Sequence, residues 1–153
     1  GLWGLHNGVW YRLREFYHDS KAKGFQMTDK EYYEELVRLA DNRHIDAVIV
    51  DPSAASFIEC IRREGRFRVI PAKNNVSDGI RQVSEKLKAK KIMVGSSCED
   101  SIREFSMYRW DSNSVKDTPR KEYDHAMDDI RYFVATALEQ TDSSFFALSV
   151  ERT

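Results

Sequence analysis

The residue types best suited to chemistry lie close together near the C-terminal end of the chain, where a histidine and several carboxylates precede an apolar run. On a helix of about 3.6 residues per turn, Asp124 and Asp128 are four positions apart and His125 and Asp128 are three apart, so all three side chains project from one side. Like charges this close repel one another unless a cation or solvent relieves them. The stretch therefore predicts either a divalent-metal site or the well-solvated first turns of a helix, where the helix dipole favours acidic residues.

A further carboxylate, Asp51, directly follows the apolar run from Ala47 to Val50. A continuous apolar run of this length is typical of a strand buried on both faces, and ligands in open α/β sheets collect at the carboxyl ends of such strands. Asp51 is equally suited to cap the helix that Pro52 opens. A strand-end Asp and a helix that carries Asp and His together favour an oxygen-rich Mg²⁺ or Mn²⁺ site, of the kind that hydrolyses phosphodiesters with two metal ions.

The other elements follow from hydrophobic periodicity and turn residues. Asn7-Gly8 separates two runs rich in strand-forming residues and predicts an antiparallel hairpin. Thr28 and Glu31 predict a capping box at the start of a helix. Strands and helices are expected to alternate after it, with strands at 47–50, 66–72 and 91–94 and helices beginning near 53, 77 and 97. This order predicts an α/β fold, a mixed sheet with helices on both faces.

Composition limits the possible functions. The chain has 153 residues, which suits one compact domain, and its 24 Lys and Arg against 25 Asp and Glu leave a net charge of −1. A DNA-binding surface would therefore depend on local clusters of Lys and Arg side chains. Two cysteines far apart in the sequence, Cys60 and Cys98, do not form the paired spacing of a zinc site and are expected to stay reduced. The chain has no apolar run of the roughly 18 residues needed to cross a membrane, and we expect no membrane partner.

Four segments closely resemble the nuclease domain of tailed-phage terminase large subunits, the motors that cut and package viral DNA. The segments are residues 50–57, 72–80, 102–110 and 124–132. The similarity extends from about Gly4 to Leu138. Because two motifs and the pattern between them occur in the right order, the resemblance is specific.

The resemblance implies an RNase H-like fold in which an acidic cluster binds two Mg²⁺ or Mn²⁺ ions. Asp51 matches the strand-ending Asp of the family and Asp128 matches the Asp on the helix. His125 matches a residue that is a ligand or lies near the ligands, and Asp124 belongs to the same motif with a less defined role. Asp129 stands where the family more often has a small residue, and we expect it to be solvated.

The chain differs from the family in two respects. The family carries a further essential Asp on a first central strand ahead of the hairpin, and residues 1–6 contain no acidic side chain. Since the chain begins with Gly1, we expect a fragment whose first central strand is truncated, leaving Leu2 to His6 and Ala47 to Val50 as unpaired edges. A phosphate-binding loop with Gly, Lys and Ser or Thr does not occur in the sequence, so motor activity is excluded for this chain.

The resemblance thus predicts an N-terminally truncated nuclease domain at 1–140 and a tail or docking strand at 141–153. The expected function is metal-dependent cleavage of double-stranded DNA with little sequence specificity. The alternative is a catalytically silent module that docks onto DNA or onto the portal ring. The implied partners are double-stranded DNA, the portal ring, the small terminase subunit and the ATPase domain of the same full-length protein. The implied location is the cytoplasm of an infected or lysogenic bacterial host.

Overall fold

The computed structural model describes residues 1–113 and 118–138 together with the backbone of 146–150. In chain order the elements of this part are β1 Leu2–His6, β2 Val9–Arg14, α1 Ser20–Lys23, α2 Asp29–Ala40, β3 Ala47–Val50, α3 Ala55–Glu64, β4 Val69–Pro71, α4 Val76–Lys88, β5 Ile92–Val94, α5 Glu99–Met107, α6 His125–Ala137 and β6 Phe146–Val150. The predicted strands and helices occur in the predicted order, and the structure adds a short helix, α1, between the hairpin and α2. Across these described ranges, every helix is too short or too polar to cross a membrane.

The predicted hairpin is formed by β1 and β2, which pair antiparallel with Leu5 opposite Trp10. Its turn residues Asn7 and Gly8 have φ values of 49° and 73°. Positive φ at both central positions is what a type I′ turn requires, and asparagine and glycine reach it at little steric cost. The predicted capping box of α2 is also present, since Thr28 and Glu31 exchange side-chain and backbone hydrogen bonds.

The six strands form one mixed sheet in the order β4-β3-β6-β1-β2-β5. Strand β6 lies between β3 and β1. It belongs to the segment 141–153, which was predicted to be a tail or a docking strand. It pairs parallel with β3, with Val150 opposite Val50, and antiparallel with β1. The expectation that β1 and β3 present unpaired edges is therefore wrong. Buried backbone N–H and C=O groups require partners, and β6 supplies them for both strands.

The core lies on both faces of this sheet, as predicted. On one face, α2 and α3 cover a cluster that includes Leu36, Val48 and Phe57. On the other face, α6 packs against Trp3 and Trp10, and its Phe133 stacks on the Trp3 ring at 4.0 Å between centroids. Helix α6 is thereby held against the sheet along nearly its whole length.

Candidate functional site

Asp51 lies at the carboxyl end of β3 and faces helix α6. One of its carboxylate oxygens, Oδ1, accepts a hydrogen bond from the backbone N–H of Ser53 at 2.9 Å. The other, Oδ2, accepts one from the hydroxyl of Tyr132 at 3.1 Å. Because Tyr132 lies one helical turn beyond Asp128, the strand end and the acidic helix converge at one edge of the sheet. The Ser53 contact shows that Asp51 orders the turn ahead of α3, but the alternative that Asp51 caps this helix is wrong, because α3 begins after Ala54 and has no side-chain cap.

Asp128 is paired with a buried arginine of its own helix. Its Oδ1 accepts hydrogen bonds from Arg131, at 2.9 Å from Nη2 and 3.2 Å from Nε. Arg131 also donates to the backbone carbonyl of Asn74 at 3.1 Å, and its guanidinium lies 4.7 Å from the centroid of the Tyr132 ring. Burial opposes the charge of Arg131, yet the Asp128 carboxylate raises the pKa of the guanidinium. The charge of Asp128 is therefore balanced within the protein.

The other two predicted side chains lie at the first turn of α6. Asp124 is 8% exposed, and its side chain makes no capping hydrogen bond to the helix. Burial and, after it, the charge of Asp128 raise the pKa of Asp124. The side chain of His125 is 29% exposed, with Nδ1 3.8 Å from the Asp124 carboxylate. The structure thus brings Asp124, His125 and Asp128 to one helix start, as their spacing predicted.

A buried carboxylate that sequence reasoning missed fixes this helix start. Glu104 of α5 is fully buried, and its Oε2 accepts hydrogen bonds from the backbone N–H groups of Ala126 at 2.7 Å and Met127 at 3.1 Å. Its Oε1 accepts one from the hydroxyl of Tyr17 at 2.5 Å. Since the first N–H groups of a helix have no partner within it, Glu104 serves as the cap that Asp124 does not provide.

The expectation that Asp129 is solvated is wrong. Asp129 is 5% exposed and forms an ion pair with Arg12 of β2, which is itself buried. The amino group of Gly1 lies 3.1 Å from the same carboxylate. Arg12 also pairs with Glu15 at 3.3 Å. Because α6 is buried on nearly every side, a charge at this position needs a partner, and Arg12 supplies it.

These residues do not by themselves form a two-ion metal site. In the ranges 1–113 and 118–138, the His, Cys, Asp and Glu side chains do not form a group of three that could hold a metal ion. Both carboxylate oxygens of Asp51 accept hydrogen bonds from protein groups, and Asp128 binds Arg131. Since Mg²⁺ and Mn²⁺ need several oxygen donors, an ion at this edge would require at least one donor beyond those described.

Comparison with known proteins gives one consistent result. An alignment over 98 residues, which covers 60% of this chain, shows 30% identity to the terminase large subunit of Escherichia phage T5. The structure of the large terminase from a thermophilic bacteriophage in complex with ADP matches 92% of this chain with a TM-score of 0.87 and 45% identity. The same terminase in complex with ATP-gamma-S matches 89% with a TM-score of 0.85 and 45% identity. No protein-family model matches the chain.

These matches confirm the resemblance predicted from the four motif segments and the predicted RNase H-like fold. The chain spans 22% of the length of the phage T5 protein and 36% of the terminase from the thermophilic bacteriophage. It therefore corresponds to a part of these relatives.

Proposed function

This chain is a domain of the terminase large subunit family, and we propose that it is the metal-dependent endonuclease domain of a DNA-packaging terminase, cutting double-stranded DNA with little sequence preference. The observation that carries the proposal is the convergence of Asp51 and helix α6 at the carboxyl edge of the sheet, joined by the hydrogen bond between Asp51 and Tyr132. A strand-end Asp beside a helix that carries Asp128 one turn away suits carboxylate binding of a catalytic cation at the ligand-binding edge of an α/β sheet.

In this proposal Asp51 and Asp128 supply the carboxylates that would hold Mg²⁺ or Mn²⁺. When bound, such an ion polarises the phosphodiester and activates water for attack. Tyr132 orients Asp51 through its hydroxyl, and Arg131 holds Oδ1 of Asp128. Across the described part of the chain, Oδ2 of Asp128 accepts no hydrogen bond, so that oxygen is the one available to a cation.

His125 and Asp124 have supporting roles in the proposal. His125 is partly exposed at the start of α6, and in the proposal it donates a hydrogen bond to a phosphate oxygen. Asp124 adds negative charge beside Asp128, and a cation would relieve their repulsion. In the complete packaging machine we propose the portal ring, the small terminase subunit and an ATPase domain as partners, acting in the cytoplasm of the bacterial host.

One observation favours a second function, a catalytically silent module that docks onto DNA or the portal ring. Arg131 already neutralises Asp128, and the described residues lack a cluster of three ligands. Such a domain would bind duplex DNA through its basic side chains and leave every phosphodiester intact.

A plasmid assay separates the two functions. The chain is treated with EDTA, dialysed, and incubated with supercoiled plasmid and Mn²⁺, while binding to a labelled duplex is measured in EDTA. The nuclease proposal predicts nicking that requires Mn²⁺ and disappears in Asp51→Asn and Asp128→Asn, with duplex affinity unchanged. Tight duplex binding without nicking at any Mn²⁺ concentration would favour the docking module, and nicking that survives either substitution would contradict the site assignment.

A further inference from the structure

A short two-stranded ribbon lies between α5 and α6, and one of its faces carries two arginines. Trp110 and Pro119 form an antiparallel bridge, flanked by a backbone hydrogen bond from the N–H of Arg120 to the carbonyl of Arg109 at 2.9 Å. In this register Arg109 and Arg120 lie directly opposite each other. Since side chains alternate along a strand, the two arginines share the face opposite to Trp110 and Pro119.

This arrangement is unfavourable for the chain alone. Like charges directly opposite on neighbouring strands destabilise the pairing, because their Cβ atoms are only about 5 Å apart. Both arginines are exposed, and within the described ranges neither forms an ion pair. Among the described residues Arg38, Arg63, Arg81 and Arg103 pair with a nearby carboxylate, whereas the exposed Arg62 and Arg68 also form no ion pair. The facing register therefore sets Arg109 and Arg120 apart, because two opposed guanidinium groups without an ion pair among the described residues suit an anion from outside the domain.

The space in front of the pair has the size for such an anion. Arg109 and Arg120 line a cavity of about 170 Å³ together with Met107, Glu122 and Tyr123. Two acidic groups lie nearby. Glu122 lines the same cavity and forms no ion pair among the described residues, whereas the Asp111 carboxylate accepts a hydrogen bond from the backbone N–H of Asn113 at 3.0 Å.

We infer that Arg109 and Arg120 form a clamp for a backbone phosphate of duplex DNA, a contact that the motifs of the sequence do not indicate. The guanidinium group presents its N–H donors in a planar fork that matches phosphate geometry, and two such forks facing each other hold one phosphate from both sides. Phosphate contacts fix the position and orientation of the duplex without reading its sequence. This inference rests on the proposed DNA-cutting function and names the surface that would hold the substrate.

The position of the ribbon fits this role. Lys121 follows Arg120 directly and is also exposed, and two residues later Tyr123 leads into Asp124 and helix α6. Lys121 lies three residues before Asp124, so the basic ribbon leads directly into the acidic helix start. A duplex held by the ribbon would therefore pass beside the start of α6, where Asp124, His125 and Asp128 lie.

The test measures duplex binding at several salt concentrations in EDTA, by fluorescence anisotropy of a short fluorescein-labelled duplex. Each neutralised phosphate contributes about 0.9 to the slope of log K against log salt, so Arg109→Ala/Arg120→Ala, which releases one clamped phosphate, should lower the slope by about 0.9 and weaken binding on the order of tenfold. Arg109→Lys/Arg120→Lys keeps both charges and should keep most of the slope. Arg109→Gln/Arg120→Gln repeats the charge removal with longer side chains, should the alanine pair fold poorly.

The matched control is Arg62→Ala/Arg68→Ala, which removes two exposed arginines near α3 and β4, away from α6. It should change the slope by much less than the ribbon pair does. Unchanged binding in folded Arg109→Ala/Arg120→Ala protein would overturn the clamp and leave the nuclease proposal standing. An equal loss in the control would also overturn it, because the effect would then be one of net charge. A parent chain that does not bind the duplex would overturn the proposed function itself and the clamp with it.

Discussion

Glu104→Ala is predicted to destabilise the domain strongly, because it removes a fully buried carboxylate that accepts three hydrogen bonds. A hydrogen bond to a charged group contributes about 1.5–3 kcal/mol, and each buried N–H left without an acceptor costs about 1–3 kcal/mol. The variant also avoids the cost of burying a charge, which offsets part of the loss. We expect a net loss of about 3–5 kcal/mol in the free energy of unfolding, a large fraction of the roughly 5–15 kcal/mol typical of a domain.

Two further variants make the prediction specific. Glu104→Gln keeps one acceptor oxygen for the start of α6 and should lose about 1–2 kcal/mol. Glu99→Ala removes an exposed carboxylate from the first turn of the same helix and should lose less than about 1 kcal/mol. The loss in the free energy of unfolding should therefore be smallest for Glu99→Ala, larger for Glu104→Gln and largest for Glu104→Ala.

Urea unfolding followed by circular dichroism gives the three free energies, with unchanged m-values as the condition for comparing them. Amide hydrogen exchange adds a local measurement. The N–H groups of Ala126 and Met127 should exchange faster in Glu104→Ala by a larger factor than amides of α2, because their acceptor is lost. A loss below about 1 kcal/mol, or equal stability of the Gln and Ala variants, would refute the capping role of Glu104.

Three other predictions test the packing and electrostatics of the same region. Gly79→Ala should destabilise the domain by about 1–3 kcal/mol, although alanine is usually the better helix former, because the new Cβ would overlap Cγ of the buried Arg131. Urea unfolding that shows a stabilised variant would contradict this packing. Asp124→Asn should stabilise the fold near neutral pH. Burial and the charge of Asp128 raise the pKa of Asp124, so the folded protein favours the neutral carboxyl group and loses stability as the pH rises through that pKa. Asparagine stays neutral and avoids this loss. Melting temperatures across a pH series should therefore converge for the two proteins below the ordinary Asp pKa of 3.8 and diverge above it, whereas a constant difference would point to another cause. Cys98 is fully buried, and burial raises the pKa of its thiol, so a thiol reagent at neutral pH should label it only upon unfolding; rapid labelling of the native protein would show that this part of the core opens.

The parts of the fold that the sequence predicted depend on local signals. The hairpin follows from Asn7-Gly8, because few residue pairs accept positive φ at both positions. The start of α2 follows from Thr28 and Glu31, which lie within one turn of each other. The shared face of His125 and Asp128 follows from helical spacing alone. In each of these cases the interacting residues are at most four positions apart.

The parts that the sequence did not predict depend on residues that are distant along the chain. Glu104 lies 22 positions from Ala126, and Arg12 lies 117 positions from Asp129. The spacing of residues along a helix carries no information about such distant pairs. The sequence pattern therefore did not reveal that Asp129 is buried against Arg12. The central place of β6 has the same origin, because strand pairing between 47–50 and 147–150 is set by the whole sheet.

The central claim is that Asp51 and Asp128 belong to one metal site, and calorimetric titration with Mn²⁺ tests it most directly. The parent chain should bind weakly, with about one ion, because two carboxylates alone provide few of the oxygen ligands that such a cation takes. Asp51→Asn and Asp128→Asn should each abolish the binding heat, whereas Asp41→Asn, an exposed carboxylate beyond α2, should leave it unchanged. Binding that survives either Asp51→Asn or Asp128→Asn, or a parent chain that binds no Mn²⁺ at all, would contradict the account.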